Sequence, residues 1–245
     1  MGKKRLRMFA GPNGSGKSEL IKELEEREIP LGPLVNADNI AKKLKESGFI
    51  DLSDYKLKNI TQANWDEAIK SIPELISRIK RIGRIPEVLI KENTLVYKTK
   101  HFESYVSALL ADFLRYMMVE QNISFSFETV MSHEAKITFL SFVKDNEYTT
   151  YLYYIATESP EINIARVENR VAKGGHDVQK EKIRSRYYKS LELLFDALKT
   201  SDRAFLIDNS KKSNFVILEK KYDGLGYPQV ETMPNWFMEF VHKKL

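Results

Sequence analysis

The alternation of apolar and polar positions resolves the chain into strands and helices. Residues 5 to 10 read as a buried strand leading into Gly11, and Glu19 to Arg27 carry Leu20, Ile21 and Leu24 at helical spacing. Pro30 and Pro33 punctuate a connection to a second strand, Leu34-Val35-Asn36, after which Asp38 is placed to cap a helix through Ile40, Ala41 and Leu44. From about 51 to 121 the period is mostly helical: Ile69, Ile72, Ile76 and Ile79 recur at threes and fours, Pro73 marks a break or kink, and Tyr105 to Met118 is rich in apolar residues.

Strand character returns at Ile123 to Thr129, where Ile123, Phe125 and Phe127 alternate with polar residues, and again at Thr150 to Ala156, with a helix from Glu134 to Val143 between them. Pro160 opens a helix carrying Ile164, Val167 and Val171, which stops at Gly174-Gly175, a hinge candidate. Asp177 begins another, with Ile183, Tyr187, Leu191 and Leu194 on one face. Ala204 to Ile207 and Val216 to Leu218 read as strands, and Trp236 to Val241 as a helix. Strands alternating with helices predict an α/β fold with a mainly parallel sheet flanked by helices. The expected organisation is one domain over 1–245 with a helical insertion at about 51–121.

Composition narrows the setting. The 245 residues, 42% hydrophobic and 30% charged, provide for a sizeable core. Lys and Arg number 39 against 34 Asp and Glu, a formal charge of +5, which favours anionic ligands mildly but is too balanced for a nucleic-acid arm. Without cysteine there is neither a disulfide framework nor a thiolate metal site, and the cytoplasm is the default compartment. Met8, Phe9 and Ala10 are too short a run for a signal-peptide core, and no stretch reaches membrane-spanning length, so no membrane partner is expected.

The chemistry is concentrated after the first strand. Gly11, Pro12, Asn13, Gly14, Ser15, Gly16, Lys17 and Ser18 match the pattern GxxxxGK[ST] in full, between a predicted strand and a predicted helix. Such a loop turns backbone N–H groups inward on an anion, helped by the positive end of the following helix. ATP is the expected ligand, with Lys17 on its β and γ phosphates and the Ser18 hydroxyl on Mg²⁺. The alternative, a glycine-rich helix cap with a stray lysine, is disfavoured by the strand–loop–helix context.

A phosphate loop does not by itself decide the fate of the γ phosphate. Asp38, past the second strand, is placed to orient an acceptor hydroxyl and take its proton late, although a helix cap would use the same residue. Glu128, ending the strand from Ile123, emerges at the same sheet edge to bind substrate or order Mg²⁺-bound water, or is a surface glutamate; Thr129 and Ser132 add hydroxyls. Arg166 and Arg170, four apart on one helix, share a face from which they can close on a polyphosphate, or form a solvated charged face with Glu168 and Lys173. His176 is a substrate-side candidate or a hinge residue, and Arg184 and Arg186 are weaker candidates.

Taken together, Ala10 to Ser18, Asn36-Ala37-Asp38, Phe127-Glu128-Thr129 and Arg166 to Val178, continued by Arg186-Tyr187, Ser190-Leu191 and Asp208-Asn209-Ser210, resemble the zeta toxin family of P-loop kinases. The resemblance covers residues 5 to 45 and 122 to 210. It implies phosphorylation of a sugar hydroxyl of UDP-N-acetylglucosamine and an inhibitory antitoxin partner, with Lys17 binding phosphate, Asp38 the base and Glu128 on the substrate sugar. The Arg166 and Arg170 region corresponds to one phosphate-binding arginine; for a second, Arg186 or His176 are the nearest. Gln179 stands where many relatives have proline, Val130 replaces an expected threonine, and 51–121 has no counterpart. Two other readings remain: a polynucleotide or nucleoside kinase, for which the clusters Lys56 to Lys58 and Tyr97 to His101 are suggestive, and an ATP-dependent switch that phosphorylates no acceptor.

Overall fold

Five of the six residues from Arg5 to Ala10 are buried, as expected of a parallel strand covered on both faces, and this strand is the reference for the rest of the architecture. The computed structural model describes residues 3–97, 104–175, 177–211, 215–227 and 232–245. The chain forms two units, one from Met1–Pro30 with Glu128–Leu245 and one from Leu31–Phe127. In chain order, β1 (Arg5–Ala10) and α1 (Lys17–Glu26) open the first unit. The second holds β2 (Leu34–Val35), α2 (Ala37–Ser47), β3 (Phe49–Asp51), α3 (Gln62–Ser71), α4 (Pro73–Ile82), β4 (Leu89–Lys91), β5 (Thr94–Val96) and α5 (Ser104–Glu120), and ends within β6 (Phe125–Thr129). The first unit resumes with α6 (Ala135–Asp145), β7 (Thr149–Ala156), α7 (Pro160–Ala172), α8 (Lys180–Glu192), α9 (Leu194–Thr200), β8 (Arg203–Asp208), β9 (Phe215–Lys221), β10 (Gly224–Gly226) and α10 (Asn235–Phe240).

In the first unit β7 lies between β1 and β8, parallel to both, with Met8 opposite Leu152 and Leu152 opposite Ala204. The antiparallel strands β9 and β10 follow β8 in order. This register puts Met8, Leu152, Ala204 and Lys220 on one face, where the Lys220 ammonium donates to the carbonyls of Leu198, Lys199 and Ser201 at the end of α9. Tyr154, on the same face, shares a hydrogen bond with Ser190 of α8 at 3.0 Å. On the other face Phe9, Tyr153 and Phe205 stack in a ladder with ring centroids 4.9 and 5.0 Å apart. The α/β fold with a mainly parallel sheet is therefore the one expected from the sequence.

In the second unit β2 and β6 pair in parallel, Leu34 opposite Ser126 and Val35 opposite Phe127. Helices α2 and α4 pack on α5, and Trp65 of α3 meets Phe113 of α5 edge-on at 5.2 Å. The unit is not wholly helical: β3, β5 and β4 form an antiparallel sheet in that order. Strands of three residues are too short for a period of two to declare itself. Pro73 does divide the helical run, sitting in the first turn of α4 where its missing N–H costs nothing.

Two predicted helix starts shift. Asn36, not Asp38, caps α2: its side-chain oxygen accepts the N–H groups of Asp38 at 2.7 Å and Asn39 at 3.2 Å, leaving Asp38 exposed in the first turn, where its charge suits the positive helix end. Helix α8 begins at Lys180 rather than Asp177 and ends at Glu192, so Leu194 opens α9 instead of closing α8. Strand β10, Gly-Leu-Gly, has no alternation to betray it. His176 and the His101 end of the Tyr97 to His101 cluster lie outside the described residues. Among the described residues no helix is long and apolar enough to cross a membrane.

Candidate active site

Three strand ends of the first unit converge on the loop between β1 and α1. The loop itself needs glycine at three close approaches, at Gly11 against the Ile155 carbonyl and at Gly14 and Gly16. Gly14 has φ +75°, and a Cβ there would stand 2.7 Å from the Asn163 carbonyl of α7; Gly16 has φ +101°, and a Cβ there would stand 2.2 Å from the Asn209 side-chain nitrogen. Those two asparagines hold the loop. Asn163 Nδ2 donates to the Asn13 carbonyl at 2.6 Å, and Asn209 Nδ2, just past β8, donates to the Ser15 carbonyl at 2.8 Å. In a trans peptide the carbonyl and the following N–H point in opposite directions. Drawing the carbonyls of Asn13 and Ser15 outward therefore turns the N–H groups of Gly14 and Gly16 the other way, as an anion nest requires.

Both clamps are anchored. Asn163 is buried and its side-chain oxygen accepts from the Thr157 hydroxyl, while the Thr157 carbonyl accepts from the Tyr187 hydroxyl of α8 at 2.7 Å. The Asn209 backbone N–H donates to the Ala156 carbonyl at the end of β7, at 2.8 Å. These clamping residues were not singled out by sequence reasoning; Asn209 entered only within the Asp208-Asn209-Ser210 segment of the resemblance, and Asn163 carried no signal.

Lys17, the first residue of α1, is buried. Its ammonium donates to the carbonyls of Gly11 and Pro12, both at 2.9 Å, and lies 3.8 Å from Glu128 Oε1. Ser18 follows, exposed, with its hydroxyl donating to Glu128 Oε2 at 3.3 Å. The carboxylate that sequence position put at a strand edge thus reaches both the lysine and the serine of the loop. Thr129 is half-buried and its hydroxyl accepts the Met131 N–H at 3.1 Å, so it shapes the turn after β6.

The arginine pair rides on the helix that touches the loop. A Cβ at Gly14 would also meet the Val167 side chain at 3.3 Å, and Val167 and Asn163 share the loop-facing side of α7. Arg166 is half-buried on this helix and Arg170 is exposed, its stem crossing Gly175, where a Cβ would lie 2.6 Å from Arg170 Cγ. Exposed Arg184 is paired with Glu161 at 2.9 Å, which commits it to a surface contact. Asp38 belongs to the second unit.

Whether ATP and Mg²⁺ suit these residues can be judged from the atoms left over. Among the described residues the buried Ser15 hydroxyl and Asn13 side-chain oxygen have no hydrogen-bond partner. The N–H groups of Gly14 and Gly16, turned away from the clamped carbonyls, suit a phosphate oxygen. The Ser18 hydroxyl and Glu128 carboxylate are hard oxygen donors side by side, the type that Mg²⁺ takes.

Fold and sequence motif define an α/β protein with a P-loop-type strand, loop and helix. The fold is that of the zeta-toxin-like P-loop kinases. No family model matches the chain. An uncharacterized protein from Haemophilus influenzae (strain ATCC 51907 / DSM 11121 / KW20 / Rd) is 32% identical over 74 residues, 30% of this chain and 53% of that protein, so the match spans about half the length of the relative. Among solved structures, the AvrRxo1-ORF1:AvrRxo1-ORF2 complex with sulphate ions is similar with a TM-score of 0.54 and 13% identity, covering 92% of this chain and 61% of that one. The complex with ATP gives 0.54 and 14%, covering 92% and 60%. Both likenesses are of fold.

Proposed function

We propose that this chain is an ATP-dependent phosphotransferase of zeta toxin type that moves the γ-phosphoryl group to a hydroxyl of a small acceptor, with a nucleotide sugar such as UDP-N-acetylglucosamine as the first candidate. The observation that carries the reading is the meeting of Lys17, Ser18 and Glu128 at a phosphate loop whose carbonyls are drawn outward by Asn163 and Asn209. ATP binding by a solved relative in fold supports the choice of nucleotide.

When bound, ATP supplies the phosphoryl group, and Mg²⁺ offsets charge on its phosphates. The protein's part is to position and to stabilise. The N–H groups of Gly14 and Gly16 would receive phosphate oxygens. Lys17 exchanges its carbonyl partners at Gly11 and Pro12 for phosphate, a gain because an anion is a stronger partner than a neutral carbonyl. Ser18 and Glu128 would hold the metal. Arg166 and Arg170 add charge where the phosphoryl group carries most of it. Asp38, assigned by the sequence resemblance, orients the acceptor hydroxyl and accepts its proton; His176 and Thr129 stand as acceptor-side candidates on the same ground. The reading carries a cytoplasmic setting and a protein partner acting as antitoxin; the two-component AvrRxo1 complex supports the latter.

The test is transfer of labelled γ-phosphate from MgATP to a panel of nucleotide sugars, nucleosides and an RNA 5′-hydroxyl. One acceptor should be labelled, with turnover lowered about 10²- to 10³-fold in both Lys17→Ala and Asp38→Asn. Lys17-dependent ATP binding with no labelled acceptor, and with slow hydrolysis indifferent to Asp38→Asn, would sink the kinase reading in favour of a nucleotide switch.

A further inference from the structure

The helix α10 holds two side chains against the turns that clamp the phosphate loop. Trp236 is 2% exposed, and its indole N–H donates to Asp208 Oδ1 at 3.0 Å. Asp208, at the end of β8 and 3% exposed, also accepts the Ser210 hydroxyl at 2.7 Å and the Ser210 N–H at 3.2 Å. The Ser210 oxygen in turn accepts the Glu158 N–H at 2.8 Å, tying the turn after β8 to the turn after β7. Asn235, exposed beside Trp236, completes the link: its backbone N–H reaches both Glu158 carboxylate oxygens at 3.2 Å, and its side chain donates to Oε1.

Asn209 sits between Asp208 and Ser210, so its backbone is fixed by the residues that the indole fixes. A buried carboxylate does not tolerate the loss of a donor: it shifts or draws in water, and the turn built on it shifts with it. Asn209 Nδ2 reaches the Ser15 carbonyl at 2.8 Å, and the position of a side chain this short follows its backbone closely. Trp236 packs on Tyr154 at 6.3 Å between ring centroids, which explains a buried ring there but not a hydrogen bond to an acid that shapes the nucleotide loop.

We propose that Trp236 is a positioning residue for the phosphate loop, acting through the Asp208 carboxylate and Asn209 on the Ser15 carbonyl. It deepens the nucleotide-binding reading above and rests on it for its consequence in affinity, while its structural content stands separately. Loosening α10 lets the Ser15 carbonyl turn back, and the Gly16 N–H leaves the nest.

The test compares wild type with Trp236→Phe, which keeps an aromatic ring on the Tyr154 side and removes the donor together with part of the indole's volume. Asn209→Ala, the double variant and Asn235→Ala complete the set. Amide hydrogen exchange of the peptide spanning residues 11–18 is read without nucleotide, and MgATP affinity by calorimetry. In Trp236→Phe exchange in the loop should rise and MgATP should bind about tenfold more weakly, the scale of one hydrogen bond to a charged acceptor. Adding Trp236→Phe to Asn209→Ala should cost little more than Asn209→Ala alone, because both act on one link. Asn235→Ala, at an exposed site, should loosen the loop in the same direction should the core variant fold poorly. Unchanged exchange in Trp236→Phe and Asn235→Ala, or fully additive losses in the double variant, would overturn the proposal. If exchange rises as expected while no form of the chain binds MgATP, the positioning role stands and the phosphotransferase reading falls.

Discussion

A methyl group at position 14 has nowhere to go: it would stand 2.7 Å from the Asn163 carbonyl, on a backbone at φ +75° that side chains avoid. Gly14→Ala is expected to destabilise the protein by about 2 kcal/mol, measured by urea unfolding, and to weaken MgATP binding as the loop is pushed off α7. The eight-residue phosphate loop was readable in the sequence because its spacing is local and its glycines have a backbone reason. Glu128 was readable as a strand-end acid, though its contact with Ser18 was not. Asn163 and Asn209 were opaque for a physical reason: each does its work on a residue 150 or 194 positions away, and an asparagine in a helix or a turn has many local uses. The cap of α2 was misread by two positions because Asn36 and Asp38 are both good caps, and only the backbone decides between them.

Between elements, the starts of β7 and β8 are joined by Asp202, whose carboxylate accepts the Thr150 N–H at 2.8 Å and hydroxyl at 3.0 Å and pairs with Lys144 at 3.2 Å. Burial pushes its pKa up, but the hydrogen bonds from Thr150 and Lys144 outweigh that and hold it below the ordinary value. A lowered carboxyl pKa contributes stability above the unfolded pKa and loses it as pH falls through the folded one. Asp202→Asn should therefore be less stable than wild type at pH 7 by about 1 kcal/mol, with the gap closing below about pH 4, as urea unfolding at pH 7 and pH 3 would reveal. Most helices and strands of six or more residues announced themselves through their apolar period, as α7 and β7 did, although the start of α9 was read into α8. The three-residue strands β3, β4, β5 and β10 could not, since one and a half repeats make no pattern.

Across the whole molecule, the alternation of strands and helices sufficed to identify a mainly parallel α/β sheet, whereas strand partners and the division into two units did not emerge, because both depend on contacts between distant segments. The first unit is built from two stretches of chain, with the second unit interposed between Pro30 and Glu128. The second unit begins and ends on paired strands, Leu34 beside Ser126. A chain ending at Ser201 keeps the full phosphate-loop motif but loses β8, Asp208 and Asn209. It is expected to show no MgATP binding by calorimetry, even though Lys17 and Ser18 are present. The same dependence sets an order in time. A ribosome delivers the Ser15 carbonyl 194 residues before the side chain that fixes it. Throughout that interval the nascent chain carries the motif without its clamp, so a nascent chain stopped before Asn209 is expected to hold the loop unclamped.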